Sequence, residues 1–198
     1  DWSSDVCSSD LEVEVGDPVR EEGNVDTWKL KVQTRPGRKD LPAQRINIDV
    51  CSIPSYQPQP MLLLNPYGVD MGTSGLILQA ETREEIYADK IVAFALRPNR
   101  IKNRDLWDMV WLRQQGITPQ LDLIDKKLAD HQCVSKYFLA LFKERTEMLD
   151  SEPKVVTDFR KEMSRLLPVE RVTQTVNQAA FWTFLVRSEE RRVGKECG

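Results

Sequence analysis

Apolar and polar residues alternate with a period of two at two places near the front of the chain. In residues 27–34 (TWKLKVQT), Trp28, Leu30 and Val32 alternate with Lys29, Lys31 and Gln33; in residues 45–50 (RINIDV), Ile46, Ile48 and Val50 alternate with Arg45, Asn47 and Asp49. That period points every second side chain to one face, so both segments are predicted as half-buried strands. Pro36-Gly37 and a polar stretch separate them, which predicts a hairpin with a long loop. Pro54, Pro58, Pro60 and Pro66 then mark an irregular crossing segment, and residues 76–79 predict another short strand.

From Thr82 onward the period becomes helical. Thr82 followed by Glu85 forms a capping box that opens a helix, and Pro98 closes it. Asn103 is the expected N-cap of a second helix through Gln114, stopped by Gly116. Further apolar-periodic segments cover residues 119–130, 134–149 and 153–167, and a last one runs from Pro168 to Val186. Strands followed by helices predict an α+β chain.

Within residues 84–96, Ile86, Tyr87, Ile91, Ala93 and Phe94 surround Lys90, and apolar residues cover most of the other side as well. A lysine in such a stripe either snorkels to solvent or to a carboxylate, or meets a buried anion such as a nucleotide phosphate. Asp105 and Asp108 share a helix face. They either complement the helix dipole, with Arg104 pairing Asp108, or position a phosphate-binding lysine and an attacking hydroxyl. Asp49 is a solvated strand residue or a ligand for Mg²⁺. Arg97, Arg100, Lys102 and Arg104 form a basic loop, either a solvated connector or a phosphate contact.

Other chemistries are excluded. Gly72-Thr73-Ser74-Gly75 lacks the Gly-Lys-Ser/Thr of a phosphate-binding loop. His131 is the sole histidine, too little for a histidine-based nucleophilic mechanism. Trp107 and Trp111 read as core.

The two ends read as translated sequencing adapter: DWSSDVCSSDL at residues 1–11 and RSEERRVGKEC at 187–197. Both are therefore set aside as artefact, 1–11 and 187–198, and the chain between them is read as an internal fragment. The 28 basic and 31 acidic residues become 24 and 25, a balance that argues against a polybasic membrane binder or an acidic tail. Cys51 and Cys133 remain, without disulfide or metal-ligand spacing, which fits a reducing cytoplasm. No apolar run reaches the ~20 residues of a membrane span.

Residues 84–112 (EEIYADKIVAFALRPNRIKNRDLWDMVWL) resemble the Glu-Glu-x-x-Ala-Asp-Lys … Arg-Asp-Leu-Trp-Asp signature of the AbiEii/AbiGii-type nucleotidyltransferase toxins, and RINIDV resembles the strand before it. The resemblance runs over residues 24–116. It implies part of a polymerase-β-like nucleotidyltransferase sheet over 12–80, followed by a helical bundle over 81–186 that carries the lysine and Arg-Asp motifs. It implies Mg²⁺-dependent transfer of a nucleotide from an NTP to an acceptor such as tRNA or another RNA, by a toxin of an abortive-infection pair with an antitoxin partner. Lys90 would contact the triphosphate. Asp105 would be the essential acid, with Asp108 and Arg104 in support and Arg100 nearby, and Asp49 would be a metal carboxylate. The Gly-Ser … Asp-x-Asp motif of that family is not found in the chain, so the chain as given is expected to transfer no nucleotide. Two alternatives remain: a non-catalytic helical module that binds RNA or an antitoxin, and a non-toxic nucleotidyltransferase relative.

Overall fold

The computed structural model describes residues 12–20, 25–35, 38, 40–65, 72, 75–98 and 100–186. The adapter-like ends and the Pro36-Gly37 turn lie outside the described residues. The fold is α+β, in two compact units, Asp1–Pro54 and Ser55–Gly198.

The first unit is an antiparallel sheet of β1 (Glu12–Val15), β2 (Val19–Arg20), β3 (Val25–Gln33) and β4 (Gln44–Cys51). The two alternating segments pair as expected, with Trp28 opposite Ile48 and Leu30 opposite Ile46. Their burial differs from expectation. Ile46, Ile48 and Val50 are 49%, 48% and 47% exposed, and Val13 and Val15 of β1 are exposed too. Alternation sets which side chains share a face, but another layer must cover that face before it is buried. The short strands β1 and β2, which the alternation does not reveal, both pair with β3.

The second unit opens with a hairpin of β5 (Pro58–Leu62) and β6 (Ile77–Glu81). The expected irregular segment is thus partly a strand. Pro58 and Pro60 are tolerated because β5 is one of only two strands in its sheet, where a missing N–H need not break a ladder.

Six helices with short connections follow, α1 (Arg83–Leu96), α2 (Asn103–Gln114), α3 (Leu121–Asp130), α4 (Ser135–Ser151), α5 (Pro153–Leu166) and α6 (Val169–Gln174), and then helical residues 179–186, here α7. The expected single last helix is broken at Thr175, whose backbone leaves the helical region. Gly116, at φ 79°, ends α2 with Ile117 N–H bonded to the Leu112 carbonyl. α3 ends with the same pattern at Gln132, φ 53°, with Cys133 N–H bonded to the Leu128 carbonyl. Both are left-handed caps, and only the first carries the glycine that announces one.

α1 packs against α2, α3 and α4, as its nearly all-round apolar pattern demands. Tyr87, Ala88, Ile91, Val92, Phe94 and Ala95 are buried there. At the other end of the core, Phe159 is fully buried between Phe181, stacked at 5.8 Å, and Trp182, edge-on at 5.6 Å. Phe159→Ala removes the ring that α5 and α7 share, so we expect it to lower the unfolding free energy by ~3–5 kcal/mol in urea denaturation. A loss below ~1 kcal/mol would show that these rings are not part of the core.

Candidate functional site

α1 begins where Thr82 Oγ1 accepts the Glu85 backbone N–H at 3.2 Å, and it ends at Leu96, two residues before Pro98. Lys90 lies midway along it, half-buried. Its Nζ donates to Asp105 Oδ1 at 2.7 Å and meets Asp108 Oδ2 at 2.8 Å. The three-residue spacing of the two aspartates on α2 is what lets both reach one ammonium. The other oxygen of Asp105 meets Arg97 Nη2 at 3.2 Å. Burial opposes the charge on Lys90, but the bonds to Asp105 and Asp108 outweigh it and raise its pKa. An ammonium has three donors and the carboxylates take two, so one remains for a further acceptor. The two acids differ in access: the Asp105 side chain is 5% exposed and that of Asp108 44%.

The remaining candidates are placed differently. Asn103 does not cap α2. Lys102 stands at the cap position without a side-chain bond, and Asn103 Nδ2 donates to Glu162 Oε2 of α5 at 2.9 Å. Arg104 Nε joins the same glutamate at 3.3 Å and does not pair with Asp108. Both side chains therefore dock α2 on α5. Arg100 is exposed in the connection between α1 and α2. Asp49 belongs to the first unit; it is exposed, and its Oδ1 accepts the Thr27 hydroxyl at 2.8 Å.

A second charged cluster involves α1, and sequence reasoning did not find it. Lys127 of α3 is 2% exposed. Its Nζ lies 2.8 Å from Glu85 Oε1, 3.0 Å from Asp89 Oδ1 and 3.6 Å from Glu81 Oε1. Glu85, also fully buried, accepts the backbone N–H groups of Tyr56 and Gln57 and the Ser55 hydroxyl, each at 2.7 Å. Its carboxylate thus ties residues 55–57 to α1 and does not close the capping box. The signal was present in the chain: Lys127 completes the stripe Leu123, Ile124, Leu128 on α3, as Lys90 does on α1.

Residues 1–186 match the family described as nucleotidyl transferase AbiEii toxin, type IV toxin–antitoxin system. The chain belongs to that family. No curated protein and no solved structure matches the chain. Among the described residues no helix is long and apolar enough to cross a membrane.

Nucleotidyltransferases typically use a divalent metal, and the donor sets differ in their fit. Glu81, Glu85 and Asp89 are close enough together to share an ion. The Lys127 ammonium already sits among them, so this group does not fit a metal. Asp49 offers an oxygen donor of the right hardness, enough for one ligand of an ion held mainly by phosphates and water.

Burial opposes the charge on Glu85, but Lys127 and the three hydrogen bonds outweigh it and hold its pKa at about 2. A pKa depressed on folding contributes stability above the unfolded value, ~4.3, that is lost as pH falls toward the folded one. The gap corresponds to roughly 3 kcal/mol. Lys127 has the opposite sign: its raised pKa contributes stability below ~10.4 that is lost in strong alkali. We expect unfolding free energy to fall steeply between about pH 5 and pH 2, and Glu85→Gln to flatten that limb. An unchanged acid limb in Glu85→Gln would contradict the assignment.

Proposed function

We propose that residues 81–186 of this AbiEii-family chain carry the lysine-and-acid part of a site that transfers a nucleotide from an NTP to an RNA acceptor such as tRNA. Residues 12–80 would contribute sheet of the nucleotidyltransferase core. In this reading the protein is the cytoplasmic toxin of an abortive-infection pair and has an antitoxin as its partner. The observation that carries the reading is the half-buried Lys90, bridged by two aspartates yet left with a donor, in a chain of this family.

The transfer forms a bond from the acceptor hydroxyl oxygen to the α-phosphorus and breaks the α–β phosphoanhydride, releasing pyrophosphate and the hydroxyl proton. The remaining Lys90 donor takes a phosphate oxygen, where a fixed cation stabilises growing charge. Asp105, buried between Lys90 and Arg97, positions the lysine. Asp108 is the more accessible acid, and its second oxygen can accept from the attacking hydroxyl. Arg100, exposed in the connection before α2, would supply positive charge toward the phosphates. Mg²⁺, when bound, would neutralise phosphate oxygens.

Triphosphate binding tests this without requiring turnover. Lys90→Ala should weaken NTP binding about 10- to 100-fold, the loss of one charge-assisted hydrogen bond, and change nucleoside monophosphate binding much less. Asp105→Asn should weaken it in the same direction by releasing the lysine. Equal NTP affinity in folded wild type and Lys90→Ala would remove the nucleotidyltransferase role of this lysine and favour a non-catalytic module.

A further inference from the structure

A cleft of about 750 Å³ opens between the connection leading into α2, the end of α4 and one face of α5. Six cations line it: Arg104, which pairs with Glu162, and five more, Arg100, Lys102, Lys154, Lys161 and Arg165. Among the described residues none of the five has a carboxylate within ion-pair distance. Glu162, also in the lining, is already used by Arg104 and Asn103, which leaves Glu152 and Asp158 as the opposing charge. Lys154, Lys161 and Arg165 follow one stripe of α5, at spacings of seven and four residues. At 1.5 Å per residue that stripe is ~16 Å long. A stacked strand advances roughly 3.4 Å per nucleotide, so several phosphates fit along it.

The rest of the lining narrows the ligand. Its apolar part is Ile101, Met148, Val155 and Leu166, and among the described residues that line it none is aromatic. A surface that read bases would offer stacking rings, and a protein-binding centre would offer aromatic anchors. Unpaired cations in a row on a concave wall instead match a sugar-phosphate backbone, held without regard to sequence. Asn103 and Arg104 belong to this lining, and the next residue, Asp105, holds Lys90.

We infer that this cleft binds the backbone of single-stranded RNA through Lys154, Lys161 and Arg165, with Arg100 and Lys102 on the facing wall. That the bound strand is the acceptor rests on the proposed nucleotidyl transfer; the binding itself does not. All three α5 cations are exposed and lie outside the Lys90 cluster.

The test is the affinity of the full chain for a labelled single-stranded RNA of about twelve nucleotides, measured without NTP across a salt series. The triple variant Lys154→Glu, Lys161→Glu, Arg165→Glu should bind at least ~10-fold more weakly, with the log–log salt slope reduced by about 2, at roughly 0.7 per phosphate contact. Its NTP affinity and thermal unfolding should match wild type. Unchanged RNA affinity in the folded variant would overturn the inference. So would polyglutamate that displaces RNA at equal charge concentration, because the cleft would then be an acidic-polypeptide site. A chain whose RNA binding follows these charges but which binds no triphosphate keeps the cleft and removes the nucleotidyltransferase reading.

Discussion

α1 packs against three other helices, yet it carries Glu85, Asp89 and Lys90 at buried or half-buried positions. An ion withdrawn from water costs several kcal/mol unless a partner of opposite charge and a full set of hydrogen bonds compensate. Much of the helical unit can be read as the answer to that constraint. Lys127 of α3 and the backbone of residues 55–57 neutralise and solvate Glu85; Asp105 and Asp108 of α2 do the same for Lys90. Glu85 and Lys90 therefore each fix the position of a neighbouring element. The apolar contacts around it supply most of the burial, and the ion pairs select the register.

The two clusters differ in what they leave open. Lys127 is sealed, with its ammonium against three carboxylates and its side chain nearly without solvent contact. Such a group holds structure together and has no capacity for a ligand. Lys90 is a quarter exposed and keeps a donor, with Asp108 more exposed beside it. That asymmetry separates a structural ion pair from a site, although both lysines lie in apolar stripes of the sequence. It also accounts for the three clustered carboxylates near Lys127, whose cation is the protein's own.

Much of this was legible in the chain. The α1 boundaries follow from Thr82 and Pro98, the end of α2 from Gly116, and the pairing of β3 with β4 from their alternation. Lys90 stood out as charge inside an apolar stripe, and Asp105 with Asp108 as acids on one face. What could not be read is tertiary. Whether a glutamate three residues after a threonine closes a capping box, as expected of Glu85, or serves residues 55–57 depends on which backbone comes near it. Asn103 was expected to cap α2 and is engaged by Glu162, 59 residues away. Ile46, Ile48 and Val50 show that a period gives a face and not its burial. Lys127 was missed because its stripe is shorter than that of α1.

Buried charges on α1 are held by specific partners, and Lys127 with Glu85 is the more deeply buried pair. A double-mutant cycle in urea denaturation, with Lys127→Met, Glu85→Gln and the pair, measures that coupling directly. Each single change strands a buried group and should cost ~3–5 kcal/mol. The double variant should fall short of their sum by ~2 kcal/mol or more. Additivity within ~0.5 kcal/mol would show instead that the two side chains act independently and that this ion pair does not hold α1 to α3.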